Sequence, residues 1–258
     1  MPAPECVRIG GATLWFGDSR EIAPSLPRPA AIIADPSYGQ RLKTNVVRAG
    51  HASKNYPPVM GDDRPFDPEP WLHVADIILL WGAHRFADRL PPGSWLVWDK
   101  RPDGSRRCQG DGEAALVLDR PFPRRVSCRR RAERTTGGRV RTRPIQRPMR
   151  IYRLLWDGWR VGPEGREDVG AGKPRVHPTQ KPTALMRWCI REARVPAGGL
   201  ILDPWMGSGT TLVAAQQLGH EAIGIEAERR YFDVACERLA RLQAHPTPGP
   251  WGGPHPED

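Results

Sequence analysis

A strand, a glycine-containing turn and a helix follow one another over residues 200–218, and this order strongly limits the fold. Apolar residues lead into Asp203, the turn contains Gly207 and Gly209, and apolar residues at helical spacing continue as far as Gly219. A strand that passes into a helix in this way is typical of parallel α/β sheets, whose ligands bind at the carboxyl ends of the strands. The turn is therefore predicted to lie at a binding edge of such a sheet.

Six more apolar runs fit the same architecture. Each is short, and turn-forming residues bound most of them, as expected for buried strands. The predicted strands are residues 12–16, 30–34, 77–81, 95–98, 114–118 and 222–225. Helical segments are predicted at residues 84–90, 183–192 and 231–242. The alternation of strands with helices predicts an α/β fold with a mostly parallel sheet.

One strongly basic segment interrupts this pattern. Residues 120–153 contain thirteen Arg, no Lys and one acidic residue, Glu133, and so carry a charge of +12. The whole chain has a net charge of +10, which leaves −2 for the remainder. A GC-rich genome would explain why 34 of the 39 basic residues are Arg, but not why acidic residues are nearly absent from this segment. The segment indicates either a polyanionic partner or a solvated, disordered insert.

Composition disfavours several other classes of protein. The longest apolar stretch, residues 75–83, contains Asp76 and is too short to span a bilayer. Residues 1–5 show no basic region followed by an apolar run, so we expect no signal peptide and a cytoplasmic protein. The five Cys are scattered and form no CxxC pair, which disfavours a disulfide framework and a structural zinc site. No metal is expected.

Three kinds of ligand site contain a glycine-rich turn of this type between a strand and a helix. A P-loop would need Lys before Thr210, and a dinucleotide fingerprint would need a third Gly where Leu212 stands. S-adenosylmethionine needs neither, because it has no pyrophosphate and its carboxylate can face the helix N-terminus. Glu226 ends the next predicted strand, 23 residues after Asp203, where an acidic residue would bind ribose hydroxyls. An ordinary tight turn explains the glycines but not these two carboxylates together.

Two further motifs place polar groups beside predicted elements. The tetrad Asp35-Pro36-Ser37-Tyr38 follows the predicted strand 30–34, so its carboxylate lies at the carboxyl edge of the sheet. Alone, this tetrad is equally an ordinary Asp-Pro turn. The segment His177-Pro178-Thr179-Gln180-Lys181-Pro182 precedes the predicted helix 183–192, and its two prolines make it stiff enough to present polar side chains to a ligand.

The three motifs together resemble those of the amino methyltransferases that act on exocyclic amines of DNA bases. Residues 35–38 look like the family's catalytic tetrad of Asp, Asn or Ser, two prolines and an aromatic residue. Residues 203–209 are similar to its Asp-Pro-Phe-x-Gly-x-Gly cofactor loop, and residues 177–182 to its His-Pro-Thr-Gln-Lys-Pro segment. Their order is that of the circularly permuted β class. Ser37 stands where the family usually has Pro, and Trp205 where it usually has Phe.

The resemblance covers residues 7–242 and implies a Rossmann-like fold of S-adenosylmethionine-dependent methyltransferases. The sheet would be circularly permuted, with a basic insert for target recognition. The implied parts are a catalytic half (1–118), the target-recognition insert (119–176), the cofactor-binding half of the same domain (177–243) and a disordered tail (244–258).

The resemblance also assigns roles to individual residues. The catalytic residues would be Asp35, Pro36, Ser37 and Tyr38. The S-adenosylmethionine-binding residues would be Asp18, Thr179, Lys181, Asp203, Pro204, Trp205, Met206, Gly207, Ser208, Gly209, Thr210 and Glu226. Asp18 is equally well placed to cap a helix at residues 20–23. The charge and spacing of the basic segment, rather than a matched motif, predict the DNA contacts, which would come from Arg129, Arg130, Arg131, Arg139, Arg141 and Arg143.

The reaction implied by the resemblance is methylation of an exocyclic amino group in duplex DNA. Asp35 and the carbonyl of Pro36 would accept the two amino hydrogens, which frees the nitrogen lone pair for direct methyl transfer. The base would be flipped out of the helix and stacked on Tyr38, with Tyr56 as a second candidate. Asp at the first tetrad position favours adenine N6 over cytosine N4. No Cys follows a Pro, which disfavours carbon-5 methylation of cytosine.

Other functions stay open from the sequence. The same fold could methylate cytosine N4, RNA or a protein amide. Because of Ser37, it could also be a catalytically degenerate, DNA-binding module. Double-stranded DNA is the expected partner and a membrane is not. The resemblance leaves room for a homodimer and for a cognate restriction endonuclease, in a bacterial or phage-encoded protein.

Overall fold

Strands of a single sheet and four α-helices form the described part of the chain. The computed structural model describes residues 5–41, 59–104, 111–119, 149–154, 177 and 179–244. The strands are β1 (Glu5–Ile9), β2 (Ala12–Phe16), β3 (Ala31–Ala34), β4 (Ile77–Trp81), β5 (Ser94–Asp99), β6 (Gly112–Asp119), β7 (Met149–Arg153), β8 (Ile201–Asp203) and β9 (Ala222–Glu226). The helices are α1 (Ser19–Ile22), α2 (Thr183–Glu192), α3 (Thr210–Gln217) and α4 (Arg229–Ala244).

The sheet is mixed but mostly parallel, which confirms the predicted α/β fold. Its order is β1-β2-β9-β8-β3-β4-β6-β5-β7. The five neighbours β2, β9, β8, β3 and β4 are parallel, so their carboxyl ends share one edge. β1 is antiparallel to β2, and β6 is antiparallel to both β4 and β5. Because β3 pairs directly with β8 (Ile32 opposite Leu202), segments far apart in sequence meet at that edge.

The central strands are covered on both faces, which explains their continuous apolar sequences. Every residue of β3 and of β4 is buried. One face, which includes Ile33 and Leu79, packs against α2, α3 and α4. The other, which includes Ile32 and Leu80, packs against α1 and the aromatic residues Phe66 and Trp71. Each fully buried Ile or Leu stabilises the fold by about 1.5–3 kcal/mol, so these strands form a rigid base for the loops that follow them.

The structure differs from the sequence prediction at the two ends of the sheet. Both outer strands, β1 and β7, were not predicted, because each has exposed residues and lacks a continuous apolar run. β7 belongs to residues 119–176, so at least this part of the predicted insert joins the sheet. The short helix predicted at residues 84–90 is instead a pair of 3-10 turns, Ala83–Arg85 and Ala87–Arg89.

Two expectations lie outside the described residues. The remainder of the basic segment and the tail from residue 245 onward are not described, so the predicted boundaries of the insert and the tail stay predictions. Within the described part of the chain, no helix has both the length and the apolar character needed to cross a membrane.

Candidate active site

The three predicted motifs lie together at the carboxyl edge of the parallel strands. Asp35 follows β3, Asp203 ends β8 and Glu226 ends β9, and these strands are neighbours in the order β9-β8-β3. Lys181 lies just before α2, which packs on the same strands. The fold therefore brings the predicted catalytic tetrad and the predicted cofactor loop to one place.

A buried ion pair joins two of these motifs. The Nζ of Lys181 donates to Oδ2 of Asp35 at 2.5 Å. The Lys181 side chain is 8% exposed and that of Asp35 is 19% exposed. Lys181 was predicted to bind S-adenosylmethionine, and in this structure it contacts the Asp35 carboxylate.

Glu113, near the start of β6, completes this cluster and was not predicted from the sequence. Its Oε1 accepts from Lys181 Nζ at 3.1 Å and from the Tyr38 hydroxyl at 2.9 Å. Its Oε2 lies 2.8 Å from Nζ of Lys100, which was also not predicted. The Tyr38 hydroxyl donates to Asp35 Oδ1 as well. One tyrosine hydroxyl therefore lies between two carboxylates, and two ammonium groups pair with those carboxylates.

The charges of this cluster shift one another's protonation. Burial raises the pKa of Asp35, the positive charge of Lys181 opposes this rise and the negative charge of Glu113 adds to it. Burial alone would raise the pKa of Glu113, but Lys181 and Lys100 hold it well below its usual range. Burial would lower the pKa of Lys181, and the two carboxylates raise it above its usual value. Glu113 and Lys181 are therefore charged, and Asp35 is the member of the cluster that is easiest to protonate.

Tyr38 is held against the end of β4 by a glycine. A Cβ on Gly82 would come 2.0 Å from Cε1 of the Tyr38 ring, so no larger residue fits beneath the ring. Gly82 also has a φ of +70°, which favours glycine in its own right. The guanidinium of Arg85 lies 5.8 Å from the centroid of the Tyr38 ring. Burial and the carboxylates of Asp35 and Glu113 raise the pKa of Tyr38 well above its usual value, so the hydroxyl stays a hydrogen-bond donor.

The other two tetrad residues shape the loop after β3. Pro36 is buried. The Ser37 hydroxyl donates to the carbonyl of Met60 at 2.9 Å. Where the related motif has a second proline ring, this chain thus uses a hydrogen bond to a neighbouring segment.

The glycine-containing turn is tied to the end of β9. The N–H of Gly207 donates to Oε2 of Glu226 at 2.9 Å, and that of Glu228 donates to its Oε1 at 2.7 Å. Asp203 is 3% exposed and accepts from the Trp205 N–H at 3.1 Å. Burial raises the pKa of Asp203 to about 7, and that of Glu226 to about 7.

Backbone conformation in the turn depends on its glycines. Gly207 has a φ of +52° and Gly209 a φ of +75°, both in the left-handed region. A Cβ on Gly207 would lie 3.3 Å from Nε2 of His177, and one on Gly209 would lie 3.0 Å from Cβ of Ala235. Glycine is therefore required both by conformation and by close packing at these two positions.

The side chains of the turn point in several directions. Trp205 packs edge-on against Phe66 and Trp71, with ring centroids 5.1 and 4.6 Å away. Met206 lies over Gly224, where an added Cβ would come 2.4 Å from its sulfur. Pro204 and the other members of the predicted set that lie on the turn, Ser208 and Thr210, are buried.

Arg238 on α4 fixes the polar groups at the start of α3, and the sequence did not indicate it. Its Nη1 donates to the carbonyl of Ser208 at 2.6 Å. The same nitrogen lies 3.0 Å from the hydroxyl oxygens of Ser208 and Thr210. One guanidinium thus ties the turn to the last helix.

Two of the predicted cofactor residues make local contacts. Asp18 is exposed and caps α1 by accepting from the Arg20 N–H at 2.8 Å, as the capping interpretation predicted. The adjacent Gly17 N–H donates to the Glu226 carbonyl at 2.9 Å, so Asp18 lies near the end of β9. Thr179 is exposed, and its N–H donates to Nδ1 of His177 at 3.3 Å.

The predicted DNA contacts are not tested by the structure. The six arginines predicted to contact DNA lie outside the described residues, as do Tyr56 and Pro178. Within the described ranges, His, Cys, Asp and Glu side chains form no group of three or more that could hold a metal ion.

Comparison with known proteins places part of the chain among DNA methylases. Residues 126–237 match the N6/N4 family model described as DNA methylase. The type II methyltransferase M2.DpnII of Streptococcus pneumoniae is 45% identical over 83 residues, which are 32% of this chain and 30% of that protein. The type II methyltransferase M.HinfI of Haemophilus influenzae is 42% identical over 73 residues, 28% of this chain and 20% of that protein. The chain thus spans less than a third of the length of either relative.

A solved structure shares the fold over most of the chain. The PvuII DNA methyltransferase, described as cytosine-N4-specific, aligns with a TM-score of 0.51 and covers 92% of both chains. The sequence identity is 12%, so the similarity concerns the fold alone.

Proposed function

We propose that the chain methylates an exocyclic amino group in double-stranded DNA with S-adenosylmethionine. It belongs to the DNA amino-methyltransferase family, and its residues 126–237 match the model of that family. The observation that carries this proposal is the junction of two motifs at one edge of the sheet. Asp35 follows β3, and the turn that begins at Asp203 follows the adjacent strand β8. Both motifs follow buried neighbouring strands, which supports the proposal of an amine acceptor beside a nucleoside-binding turn.

The residues at the edge of the sheet fit S-adenosylmethionine. Glu226 supplies a largely buried carboxylate at the end of β9 for the ribose hydroxyls. Glycine at the positive-φ positions 207 and 209 leaves no side chain between the turn backbone and a ligand. The cofactor-binding residues of the proposal are Asp18, Thr179, Lys181, Asp203, Pro204, Trp205, Met206, Gly207, Ser208, Gly209, Thr210 and Glu226. When bound, S-adenosylmethionine supplies an electrophilic methyl group.

Asp35 prepares the amine for attack. Its carboxylate accepts one amino hydrogen and the carbonyl of Pro36 accepts the other, which draws the nitrogen toward tetrahedral geometry and frees its lone pair. The surplus proton is then held at Oδ1 of Asp35. That oxygen accepts the Tyr38 hydroxyl in this structure, so the amine must displace the hydroxyl. Glu113 remains as an acceptor for the displaced hydroxyl, 2.9 Å away.

The finer parts of the proposal concern the target. An aspartate at the first tetrad position supports adenine N6 as the acceptor rather than cytosine N4. The base is extruded from the duplex and stacked on Tyr38. Residues 1–118 and 177–243 form the catalytic and cofactor-binding halves, and the insert at residues 119–176 binds DNA through Arg129, Arg130, Arg131, Arg139, Arg141 and Arg143. We include a homodimer and a cognate restriction endonuclease among the partners to be tested.

The test is methyl transfer from tritiated S-adenosylmethionine to unmethylated duplex DNA, followed by mass spectrometry of the nucleosides. N6-methyladenine is expected, and N4-methylcytosine would reassign the base. Asp35→Asn is expected to reduce transfer by roughly 100-fold or more. The matched control is Asp76→Asn, because Asp76 is exposed and paired with Arg28 away from the site. Transfer to RNA alone would overturn the DNA assignment, and tight cofactor binding without any transfer would indicate a degenerate binding module.

A further inference from the structure

Four side chains of alternating charge form a row of successive contacts at the carboxyl edge of the sheet. Asp35 contacts Lys181 at 2.5 Å, Lys181 contacts Glu113 at 3.1 Å, and Glu113 contacts Lys100 at 2.8 Å. Glu113 is 12% exposed and Lys100 is 24% exposed, so the row is largely shielded from water. Removal of one member therefore leaves an unbalanced charge where solvent compensates poorly.

We propose that Glu113 is a positioning residue for methyl transfer: it holds Lys181 and Tyr38 beside Asp35 and offsets the charge of the two lysines, so that no excess positive charge lies beside the amine. The inference deepens the proposed function and rests on it. Glu113 acts on the amine only through its three partners, Lys181, Tyr38 and Lys100.

Asp35 and Glu113 share the one hydroxyl hydrogen of Tyr38. Tyr38 lies within hydrogen-bond distance of both carboxylates, but its single O–H can point fully at only one of them. When the amine takes Oδ1 of Asp35, the hydroxyl turns to Glu113 at no cost in unsatisfied buried groups. Without Glu113, displacement from Asp35 would take from the hydroxyl the second of the two acceptors that it has in this structure.

Glu113 also balances the charge of the cluster. The net charge of the four side chains is zero when Glu113 is ionised, and it is +1 when Glu113 is neutral. As the methyl group is transferred, positive charge moves onto the amine nitrogen, and an excess positive charge beside it opposes that movement. Lys181 would also become the partner of Asp35 alone, which makes the carboxylate a weaker acceptor for the amine. Glu113→Gln is therefore expected to lower kcat by roughly 10- to 100-fold, as when a supporting partner of a functional side chain is lost.

The same balance predicts opposite changes in the titration of Asp35. Glu113→Gln removes a negative charge that raises the pKa of Asp35, so that pKa falls. Lys100→Met removes the positive charge that offsets Glu113, so the pKa of Asp35 rises. Among the described residues, the other titratable groups that interact with this cluster are Asp203 with Asp35, His84 with Glu113 and Cys189 with Lys181, and the Arg85 guanidinium lies over the Tyr38 ring. None of these is altered in either variant.

The experiment measures the Asp35 carboxyl directly by carbon-13 NMR titration of Asp-labelled protein, with Asp35→Asn to assign the resonance. Alongside, the pH dependence of kcat/KM for DNA methylation is recorded. Glu113→Gln is expected to move both the resonance midpoint and the acid limb to lower pH, and Lys100→Met to move both to higher pH. Glu221→Gln is the matched control, because Glu221 is 64% exposed and paired with Arg8.

The outcomes separate this inference from the proposed function. If the Asp35 midpoint is unchanged in both variants, or moves in the same direction in both, the positioning role is overturned. A purely structural role would lower stability and rate without displacing the acid limb in opposite directions. If the midpoint moves as expected but the wild-type protein methylates no DNA, the electrostatic role of Glu113 stands and the proposed function fails.

Discussion

The ammonium of Lys181 lies 2.5 Å from a carboxylate oxygen of Asp35, although 146 residues separate the two in sequence. The contact exists because β3 pairs with β8, which places the start of α2 and the loop after β3 at one edge of the sheet. Both side chains are mostly buried, so each is the principal charge partner of the other in a poorly solvated place. This relationship gives the first prediction.

Lys181→Met should destabilise the protein by about 3–5 kcal/mol, because it leaves buried carboxylates without their shared counter-charge. The change is measured by chemical denaturation at neutral pH. Adding Asp35→Asn to the variant should recover part of the loss, since the uncompensated charge is then removed as well. Additive effects in this double-mutant cycle would contradict a direct coupling of the pair.

Gly82→Ala should abolish most methylation, because the added Cβ would occupy the place of the Tyr38 ring. The substitution also strains the backbone at a positive φ, at a cost of about 1–2 kcal/mol. Gly198→Ala is the matched control: Gly198 has a φ of +68°, close to the +70° of Gly82, and an added Cβ there meets nothing within 4 Å. Both variants should lose similar backbone stability in thermal denaturation. Equal methylation rates in the two would show that the position of Tyr38 does not matter.

The sequence indicated the carboxylates that lie at the ends of parallel strands. It did not indicate Glu113, which lies at the start of an antiparallel strand. Asp35 and Asp203 follow apolar runs and precede Pro, a local signal that survives in a single sequence. Glu113 reaches the same edge only because β6 runs antiparallel to β4, so that its amino end lies beside the end of β4. Lys100 arrives there because β5 is antiparallel to β6 and hence runs in the direction of β4. Strand direction is set by tertiary pairing, and spacing along the chain does not encode it.

The contact of Arg238 with the turn could not be predicted from the sequence, for a related reason. Helical periodicity marks the buried face of α4, which includes Tyr231, Phe232 and Leu239, but says nothing of what its polar side chains reach. Whether Arg238 meets solvent or Ser208 depends on how α4 packs beside α3. The packing angle is a property of the assembled core.

Arg238→Met should weaken S-adenosylmethionine binding while leaving the fold intact. One hydrogen bond to a charged donor contributes about 1.5–3 kcal/mol, which corresponds to roughly tenfold or more in Kd if the turn loosens by that amount. Calorimetry of cofactor binding measures the effect without DNA. Arg241→Met on the same helix serves as the control, because Arg241 is 67% exposed and pairs only with Glu237 among the described residues. A Kd that is the same in both variants would remove Arg238 from the support of the turn.

Cofactor affinity should rise with pH through neutrality. Burial raises the pKa of Glu226 to about 7, so in the free protein this carboxyl is largely protonated at pH 6 and largely ionised at pH 8. The ionised form is the better acceptor for ribose hydroxyls, so binding favours deprotonation and Kd falls as pH increases. Calorimetry at several pH values should also show proton release on binding below pH 7. In Glu226→Gln the affinity should be lower, and its pH dependence should be reduced to the contribution of Asp203, whose pKa is also raised to about 7. An unchanged pH dependence in that variant would assign the titration to Asp203 alone.

DNA affinity should depend steeply on salt if the basic segment at residues 120–153 contacts phosphates. Six such contacts by arginine predict a slope of about −5 for log affinity against log salt concentration, because each contact releases condensed counterions. Replacing Arg129, Arg130 and Arg131 with Ala should reduce the magnitude of the slope by roughly 3. The triple variant should keep its affinity for S-adenosylmethionine, since none of these three residues belongs to the proposed cofactor-binding set. Fluorescence anisotropy of a labelled duplex at a series of salt concentrations gives both slopes. A shallow dependence in the wild-type protein would show that the thirteen arginines of this segment do not form the DNA-binding surface.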